Sequence, residues 1–558
     1  MYYLIHMEKN VKFRWYGHYP EIIPREIRND RYKSLSDMFL QCVEKYSDLP
    51  AFESFGTAMT YREMDRLTQN FAAFLQSEGL RKGDRLALIL PNTLQYPISM
   101  FGAIRAGLVI VNINPLYTSR EIEEKLKDSG ARAVVVLSVS ARKLQKIISR
   151  TDVKTVIITG PGDMAGLRGM FINFYMRWIS RETMRYRKTG STGFRRALRI
   201  GSRLHFNPAE PGFEDIAFLQ YTGGTTGTSK GAVLKHKNIL ANIEQISAWM
   251  LPGVLEGEEV VLTPLPLYHI FALTVNLFAF FSRGAKNVLI ADPRKISSLV
   301  REMKKYRLTS LTGVNTLFNL MLNQHGFGDV RFARLKIVIA GGMAVHKSVS
   351  DGWLKATGIP LCEGYGLTEA SPVLTCNPID GTDRPGTVGL PLPGTEIIIA
   401  DDNGNEVPLY THGEILAKGP QVMDCYWNNE EETARVFING WLRTGDIAFM
   451  DRDGFITIVD RKKDMINVSG FNVYPSEVED VATMYTKVLE AGCTGGTDEH
   501  GNEYVKLFAV KKDPALTEDE LLTHLRKNLT GYKMPAGIEF RESLPKSSIG
   551  KVLRRELE

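Results

Sequence analysis

Residues 221–231 read YTGGTTGTSKG, a run of glycine and hydroxyl side chains that also carries Lys230. Glycine lets a backbone turn sharply and approach a ligand closely. Backbone N–H groups in such a turn form a concave anion site, and hydroxyls add donors. Lys230 adds a mobile positive charge. The chemistry indicated is polyphosphate binding; the alternative is a flexible surface turn. A Walker-type loop requires Gly-Lys-Ser/Thr. Here Ser229 precedes Lys230 and Gly231 follows it, so the spacing fails.

Four later stretches carry comparable chemistry. Residues 364–369 read GYGLTE. The glycines admit a planar ligand, Tyr365 offers a stacking ring, Thr368 a hydroxyl, and Glu369 a hard oxygen suited to magnesium. Residues 441–446 read WLRTGD, where Asp446 behind a Thr-Gly turn can accept both hydroxyls of a ribose or serve only as a turn-forming Asp. Residues 460–470 read DRKKDMINVSG, charges that reach a phosphate or are merely solvated. Residues 545–551 read PKSSIGK, a loop ending in Lys551 close to the C-terminus. Each stretch alone has an ordinary structural reading.

The surrounding pattern says what must position them. Apolar runs at 84–90, 108–111, 134–137, 156–158 and 216–220 read as buried strands, separated by helical spacing at 32–46, 60–76, 99–106 and 238–245. Such alternation predicts a mostly parallel α/β sheet. It resumes at 288–290, 308–312 and 337–339, with a helix over 294–306. From 386 onward strand-and-turn patterns dominate and predict a β-rich subdomain. A last α/β unit has helices over 476–484 and 517–529 around a strand at 505–510. Residues 260–281 lack Asp, Glu, Lys and Arg but contain Pro264 and Pro266, which predicts a strand, a loop and an apolar helix rather than a membrane span.

The chain has 558 residues, 44% of them hydrophobic and 24% charged, the texture of a globular protein of several units. A net charge of +6 is too mild to signal a nucleic-acid binder. Five scattered cysteines without CxxC spacing argue against a disulfide framework or a zinc site, and a reducing cytoplasm fits best. The opening residues lack an apolar core long enough for a signal peptide. Residues 167–204 are rich in arginine and aromatics, with Glu182 the only acid. They read as an insertion packed on the protein or as a segment lying on an anionic membrane.

In order and content these stretches resemble the adenylate-forming (AMP-binding) superfamily over nearly the whole chain. PLYHIFAL at 266–273 and DRKKDMINVSGFNVYP at 460–475 add to the likeness. Within the superfamily the sequence is similar to bacterial long-chain fatty acid–CoA ligases, to which Tyr96-Pro97 and the NPLY run at 114–117 point. The resemblance implies an α/β fold: a large N-terminal domain of stacked α/β subdomains plus a β-rich subdomain over 1–460, with a small mobile α+β C-terminal domain over 461–558. It implies ATP-dependent conversion of a fatty acid to acyl-AMP and then to acyl-CoA, with Mg2+ as cofactor. ATP and CoA are the cosubstrates.

The implied roles run as follows. Tyr221, Thr222, Gly223, Gly224, Thr225, Thr226, Gly227, Lys230 and Gly231 hold the ATP phosphates. Thr225 and Glu369 hold magnesium. Gly341, Gly342, Gly364 and Tyr365 receive adenine, Thr368 the α-phosphate, Asp446 and Arg461 the ribose. Lys551 stabilises adenylation, with Thr222, Glu369 and His269 also in the catalytic set. His269, Phe271 and Gly366 face the acyl group, and Ser469, Gly470 and Phe471 face CoA. Lys463 matches the hinge about which the C-terminal domain turns between half-reactions. One local departure is Cys493-Thr494-Gly495-Gly496, where the family more usually has Val-Gly-x-Pro. A cytoplasmic location is expected; peripheral contact with the inner face of the cell membrane and a homodimer are left open. The alternatives are another adenylate-former, either a fatty acyl-AMP ligase or a medium-chain or aryl acid ligase, and a non-catalytic nucleotide-binding regulator.

Overall fold

The computed structural model describes residues 13–28, 30–178, 190–222, 229–468, 471–499, 503–547 and 550–557. Two large sheets share one core. The first has seven strands, ordered Ser191–Gly193, Thr155–Thr159, Ala133–Leu137, Arg85–Ile89, Val109–Asn112, Ile216–Thr222 and Lys230–Lys235. All neighbours are parallel except the last pair, an antiparallel hairpin. Runs such as AVVVL at 133–137 are apolar at every position because helices cover both faces of a parallel sheet.

The second sheet has nine strands. Its parallel middle runs from Pro50–Ser54 through Lys286–Leu289, Val260–Thr263, Ser310–Gly313 and Ile337–Ala340 to Cys362–Gly366. Antiparallel strands cover its two ends. Phe39, Phe101, Phe218, Phe278 and Phe281 meet between the two sheets and weld them together. Helix starts are fixed by reciprocal caps, Thr60 with Glu63 and Thr118 with Glu121.

A five-stranded antiparallel sheet follows, containing Gly413–Lys418, Trp441–Met450 and Ile456–Arg461. The smaller C-terminal domain has its own core. Strands Val488–Thr497, Glu503–Lys511 and Gly537–Arg541 pack on helices Pro475–Met484 and Glu518–Asn528.

The structure sharpens the local reading at four places. The first residues of GYGLTE belong to the strand Cys362–Gly366. WLRTGD lies within the strand Trp441–Met450 and is not a free turn, although Gly445 keeps φ +73. The apolar helix after Pro266 is a π-helix over Ala272–Ala279, a wide winding that often marks functional sites. Cys493-Thr494-Gly495-Gly496 forms regular strand, and a Cβ on Gly496 would fall 2.4 Å from the Tyr504 ring. Close packing thus explains that glycine. Among the described residues no helix is long and apolar enough to cross a membrane. All five cysteines are free.

The helix Gly166–Trp178 is turned outside in. Gly169 packs against the Gly162 backbone, and Asn173 exchanges hydrogen bonds with Asp163 and Gly162 at 2.8 and 2.9 Å. That polar face is the anchored one. The apolar side chains face solvent, Leu167 at 79% exposure and Phe171 at 75%, with Met170 and Tyr175 beside them.

Candidate functional site

One cavity of about 2240 Å³ lies where the large sheets, the β-rich subdomain and the C-terminal domain meet. Its back wall is made of strand ends. Ile337–Ala340 delivers Gly341 and Gly342, and the parallel neighbour Cys362–Gly366 delivers Gly364, Tyr365 and Gly366. Glycine is required at Gly366, where a Cβ would come within 2.0 Å of the Pro372 carbonyl. Gly342 needs its φ of +78.

Tyr365 donates from its hydroxyl to Asp446 Oδ2 at 2.6 Å. Burial, then the Asp446 charge, push the phenol well above its usual pKa, so it remains a donor. Asp446 sits opposite Arg461 in the strand register, and Arg461 Nε lies 3.1 Å from Asp446 Oδ1. That carboxylate raises the guanidinium's pKa further. Glu414, missed in the sequence, braces this corner. It accepts from Gly445 N–H at 3.1 Å and from Arg443 at 2.7 Å.

Thr368 and Glu369 begin a short 3-10 turn at the cavity edge. Glu369 Oε1 accepts from the Tyr426 hydroxyl at 2.6 Å, another contact the sequence did not announce. Glu369 is a hard carboxylate donor suited to magnesium. Its expected companion Thr225 lies outside the described residues, as do Gly223, Gly224, Thr226 and Gly227. The hairpin that carries them is described. Thr222 pairs with Lys230, Tyr221 pairs with Gly231, and Ser229 Oγ donates to the Thr222 carbonyl at 2.8 Å. Tyr221, Thr222 and Lys230 face the cavity, whereas Gly231 packs under the Tyr221 ring. Lys230 pairs with Glu432.

Lys551 enters from the C-terminal domain. Its loop is closed by a bridge between Lys546 and Val552 and by Ser547 N–H donating to the Lys551 carbonyl at 2.7 Å. The Thr316 hydroxyl of the large domain donates to the Gly550 carbonyl at 3.0 Å and docks the loop. Burial, then the nearby Arg461, push the Lys551 ammonium down to about 8. An anion placed here would relieve both effects. Asn319 donates to the Leu489 carbonyl at 3.1 Å, and His346 pairs with Asp480; both contacts also hold the C-terminal domain in this orientation.

A second, apolar arm of the cavity runs along Ile246, Trp249, Met250, Val275, Val388 and Leu392. His269 and Phe271 line the same cavity. Burial pushes His269 down to about 4, so the ring is neutral. Its Nδ1 accepts the Phe271 N–H at 3.3 Å, which assigns the proton to Nε2.

One expected residue, Phe471, does not line the cavity. Phe471 is 56% exposed and stacks on Tyr532 with ring centres 4.8 Å apart, on a hairpin away from the cavity. Ser469 and Gly470 lie outside the described residues. Lys463 does face the cavity, 3.9 Å from Asp464, and burial lowers its pKa. Beside it the sequence missed Arg554, which grips Asp460 at 2.7 Å, Asp464 at 3.3 Å and Glu479 at 2.7 Å. It also missed Glu363, which burial pushes up to about 7. Only their contacts across distant segments reveal these residues.

Cations, two carboxylates, a tyrosine ring and an apolar arm thus share one cavity. That set can hold an anion, a hydroxyl-bearing planar group and an apolar chain side by side. The AMP-binding enzyme model matches residues 39–427 and the AMP-binding enzyme C-terminal domain matches residues 477–551. The chain is 50% identical to a long-chain-fatty-acid–CoA ligase of Escherichia coli O6:H1 over 97% of both chains. It is 45% identical to one of Haemophilus influenzae, again over 97% of both. The solved structure of ATP-bound MatB from Rhodopseudomonas palustris superposes with a TM-score of 0.79 at 27% identity, covering 94% of this chain and 98% of that one.

Proposed function

The chain belongs to the AMP-binding enzyme family, and we propose that it is a long-chain fatty acid–CoA ligase working through an acyl-AMP intermediate. The observation that carries this reading is the joining of the apolar arm to the Lys551, Asp446 and Glu369 corner in one cavity. ATP, a fatty acid and CoA are the substrates.

The chemistry follows from charge. A carboxylate is a weak nucleophile and the triphosphate repels it, so positioning and electrostatic stabilisation supply the rate. Thr222 and Lys230, with the loop 223–228 between them, receive the β- and γ-phosphates. Tyr365 packs on adenine over Gly341, Gly342 and Gly364, and Asp446 with Arg461 takes the ribose. Thr368 contacts the α-phosphate. Lys551 bridges the acyl carboxylate and that phosphate as negative charge gathers there. The neutral His269 and Phe271 hold the acyl carboxyl end, and the apolar arm takes the tail. Glu369, with Thr225, would hold magnesium, which would screen the triphosphate charge.

The domain boundary falls near 460/461 in this reading, with Lys463 as the hinge. Turning there withdraws Lys551 and brings the 469–471 loop toward CoA. Exposure of Phe471 supports this, since a group used only in the second step has no place in the cavity during the first. The outward apolar stripe of helix Gly166–Trp178 supports peripheral contact with an anionic membrane from the cytoplasmic side. Arg168, Arg195, Arg196 and Arg199 supply the complementary charge.

The test is turnover of a panel of carboxylic acids from acetate to oleate, scored for AMP and acyl-CoA. Long chains should dominate. Efficient turnover of short or aromatic acids alone would overturn the substrate class, and AMP release without acyl-CoA would indicate another thiol acceptor.

A further inference from the structure

The phosphate hairpin contains an ion pair that the roles above do not use. Lys230 Nζ contacts Glu432 Oε2, and the two side chains are only 10% and 16% exposed. Glu432 is held from behind. Its N–H donates to Asn429 Oδ1 at 3.1 Å, which starts the helix Glu430–Val436. Its second oxygen, Oε1, accepts from Arg435 Nη1 at 2.8 Å, and Arg435 Nη2 reaches Glu431 at 2.6 Å. The Lys230 ammonium also lies 5.7 Å from the centre of the Tyr426 ring, whose hydroxyl binds Glu369. Lys230, Glu432 and Arg435 all face the cavity.

We propose that Glu432 is a positioning residue that holds Lys230 at the hairpin between turnovers and competes with the nucleotide's polyphosphate for it. The inference rests on the reading of the 222–230 hairpin as the triphosphate site. An ammonium with a carboxylate partner can meet an incoming phosphate only by exchanging partners. The exchange has two effects. Lys230 is already confined near the hairpin when the nucleotide arrives, so less side-chain entropy is lost on binding. After adenylation, Glu432 offers Lys230 a partner again and so hastens the departure of pyrophosphate. Arg435 makes the exchange workable, because Glu432 keeps one cationic partner when Lys230 leaves and no half-buried carboxylate is stranded.

Glu432→Gln keeps the size of the side chain and removes its charge. It should tighten ATP binding and pyrophosphate product inhibition by about three- to tenfold, the worth of one partly exposed ion pair. AMP, which lacks the β- and γ-phosphates, should bind as before. Arg435→Ala should act in the opposite sense, since Glu432 then has Lys230 alone, and should weaken pyrophosphate inhibition. ATP and pyrophosphate are titrated calorimetrically against each variant, with thermal melting as the check on folding. Unchanged or weaker ATP and pyrophosphate binding in a normally melting Glu432→Gln variant overturns the proposal. So does equal tightening of AMP. Should Glu432→Gln melt early, unaltered pyrophosphate inhibition in Arg435→Ala overturns it instead. Lys230→Met separates the two levels: if it binds ATP and pyrophosphate like the parent, the triphosphate-site reading fails, whatever Glu432 does.

Discussion

The Tyr365 hydroxyl and Asp446 Oδ2, 2.6 Å apart, tie the last parallel strand of the nine-stranded sheet to the β-rich subdomain. Eighty-one positions separate them in the chain. The bond fixes the tyrosine ring and one carboxylate oxygen together, while Arg461 holds the other oxygen. The ring and the carboxylate proposed to take adenine and ribose are therefore set as one unit.

Tyr365→Phe keeps the ring and removes the bond. A hydrogen bond to a charged group is worth about 1.5–3 kcal/mol. The expected result is a fall of about tenfold or more in kcat/KM for ATP, with the acid's KM little changed. Wild-type ATP kinetics in this variant would show that Arg461 alone orients Asp446.

Lys551→Ala should lower acyl-AMP formation by about a hundredfold or more, the usual cost of removing one electrostatic partner of a transition state. ATP should still bind, because the hairpin and the Tyr365 corner are intact. Pre-formed acyl-AMP should still pass to CoA. Pyrophosphate exchange and single-turnover thioester assays separate the two steps; equal loss in both would contradict the role.

The Lys551 ammonium at about 8 also gives a pH signature. A lowered lysine pKa means the proton is lost as pH rises through about 8, well before an ordinary lysine near 10.4. Reductive methylation of the ligand-free enzyme, followed by peptide mass mapping, should show Lys551 reacting with an inflection near pH 8. ATP plus a fatty acid should shift that inflection upward. An inflection near 10 without ligand would contradict the buried placement.

Arg554→Ala strands Asp460 and Glu479, which are mostly buried beside it. Breaking one partner out of such a cluster costs about 3–5 kcal/mol. Urea unfolding followed by C-terminal probes should show the smaller domain melting early, with the N-terminal transition unmoved. A single unshifted transition would mean the cluster is decorative.

The proposed membrane contact is tested with vesicles. Leu167→Glu with Phe171→Glu should abolish co-sedimentation with phosphatidylglycerol vesicles and leave turnover of a soluble medium-chain acid intact. Neutral phosphatidylcholine vesicles should bind the parent poorly, and added salt should release it. Binding unaffected by the double substitution would place the contact elsewhere.

Much of the fold is legible in the sequence because parallel strands are apolar at every position and their helices have three-to-four spacing. Ala133–Leu137 and Ile337–Ala340 are examples. The site residues that could be named were those on glycine-rich or charged turns, such as Lys551 and Glu369. Tyr426, Glu414, Glu432 and Arg554 were illegible for a common reason. Each acts through a partner tens or hundreds of positions away, as Tyr426 does on Glu369 and Glu432 on Lys230. Local pattern carries no trace of such pairs. The π-helix over Ala272–Ala279 escaped because its residues are apolar all round, which leaves no period to distinguish one winding from another. The outward face of Gly166–Trp178 was hidden differently. Periodicity marks an apolar stripe but not which way it faces; the small and polar residues Gly169 and Asn173 decide that through contacts with Gly162 and Asp163.

With the roles proposed for it, the buried ammonium of Lys551 would couple occupancy to domain position. Burial and the neighbouring Arg461 hold its charge at a disadvantage. An anion beside it removes that disadvantage, so anion binding favours the docked C-terminal domain, and the docked domain favours anion binding by the same factor. In the proposed cycle, negative charge in the cavity would fall once pyrophosphate has left, and docking would weaken without any separate signal. The turn toward the second half-reaction would then follow the first product's departure, with Lys551 linking the two.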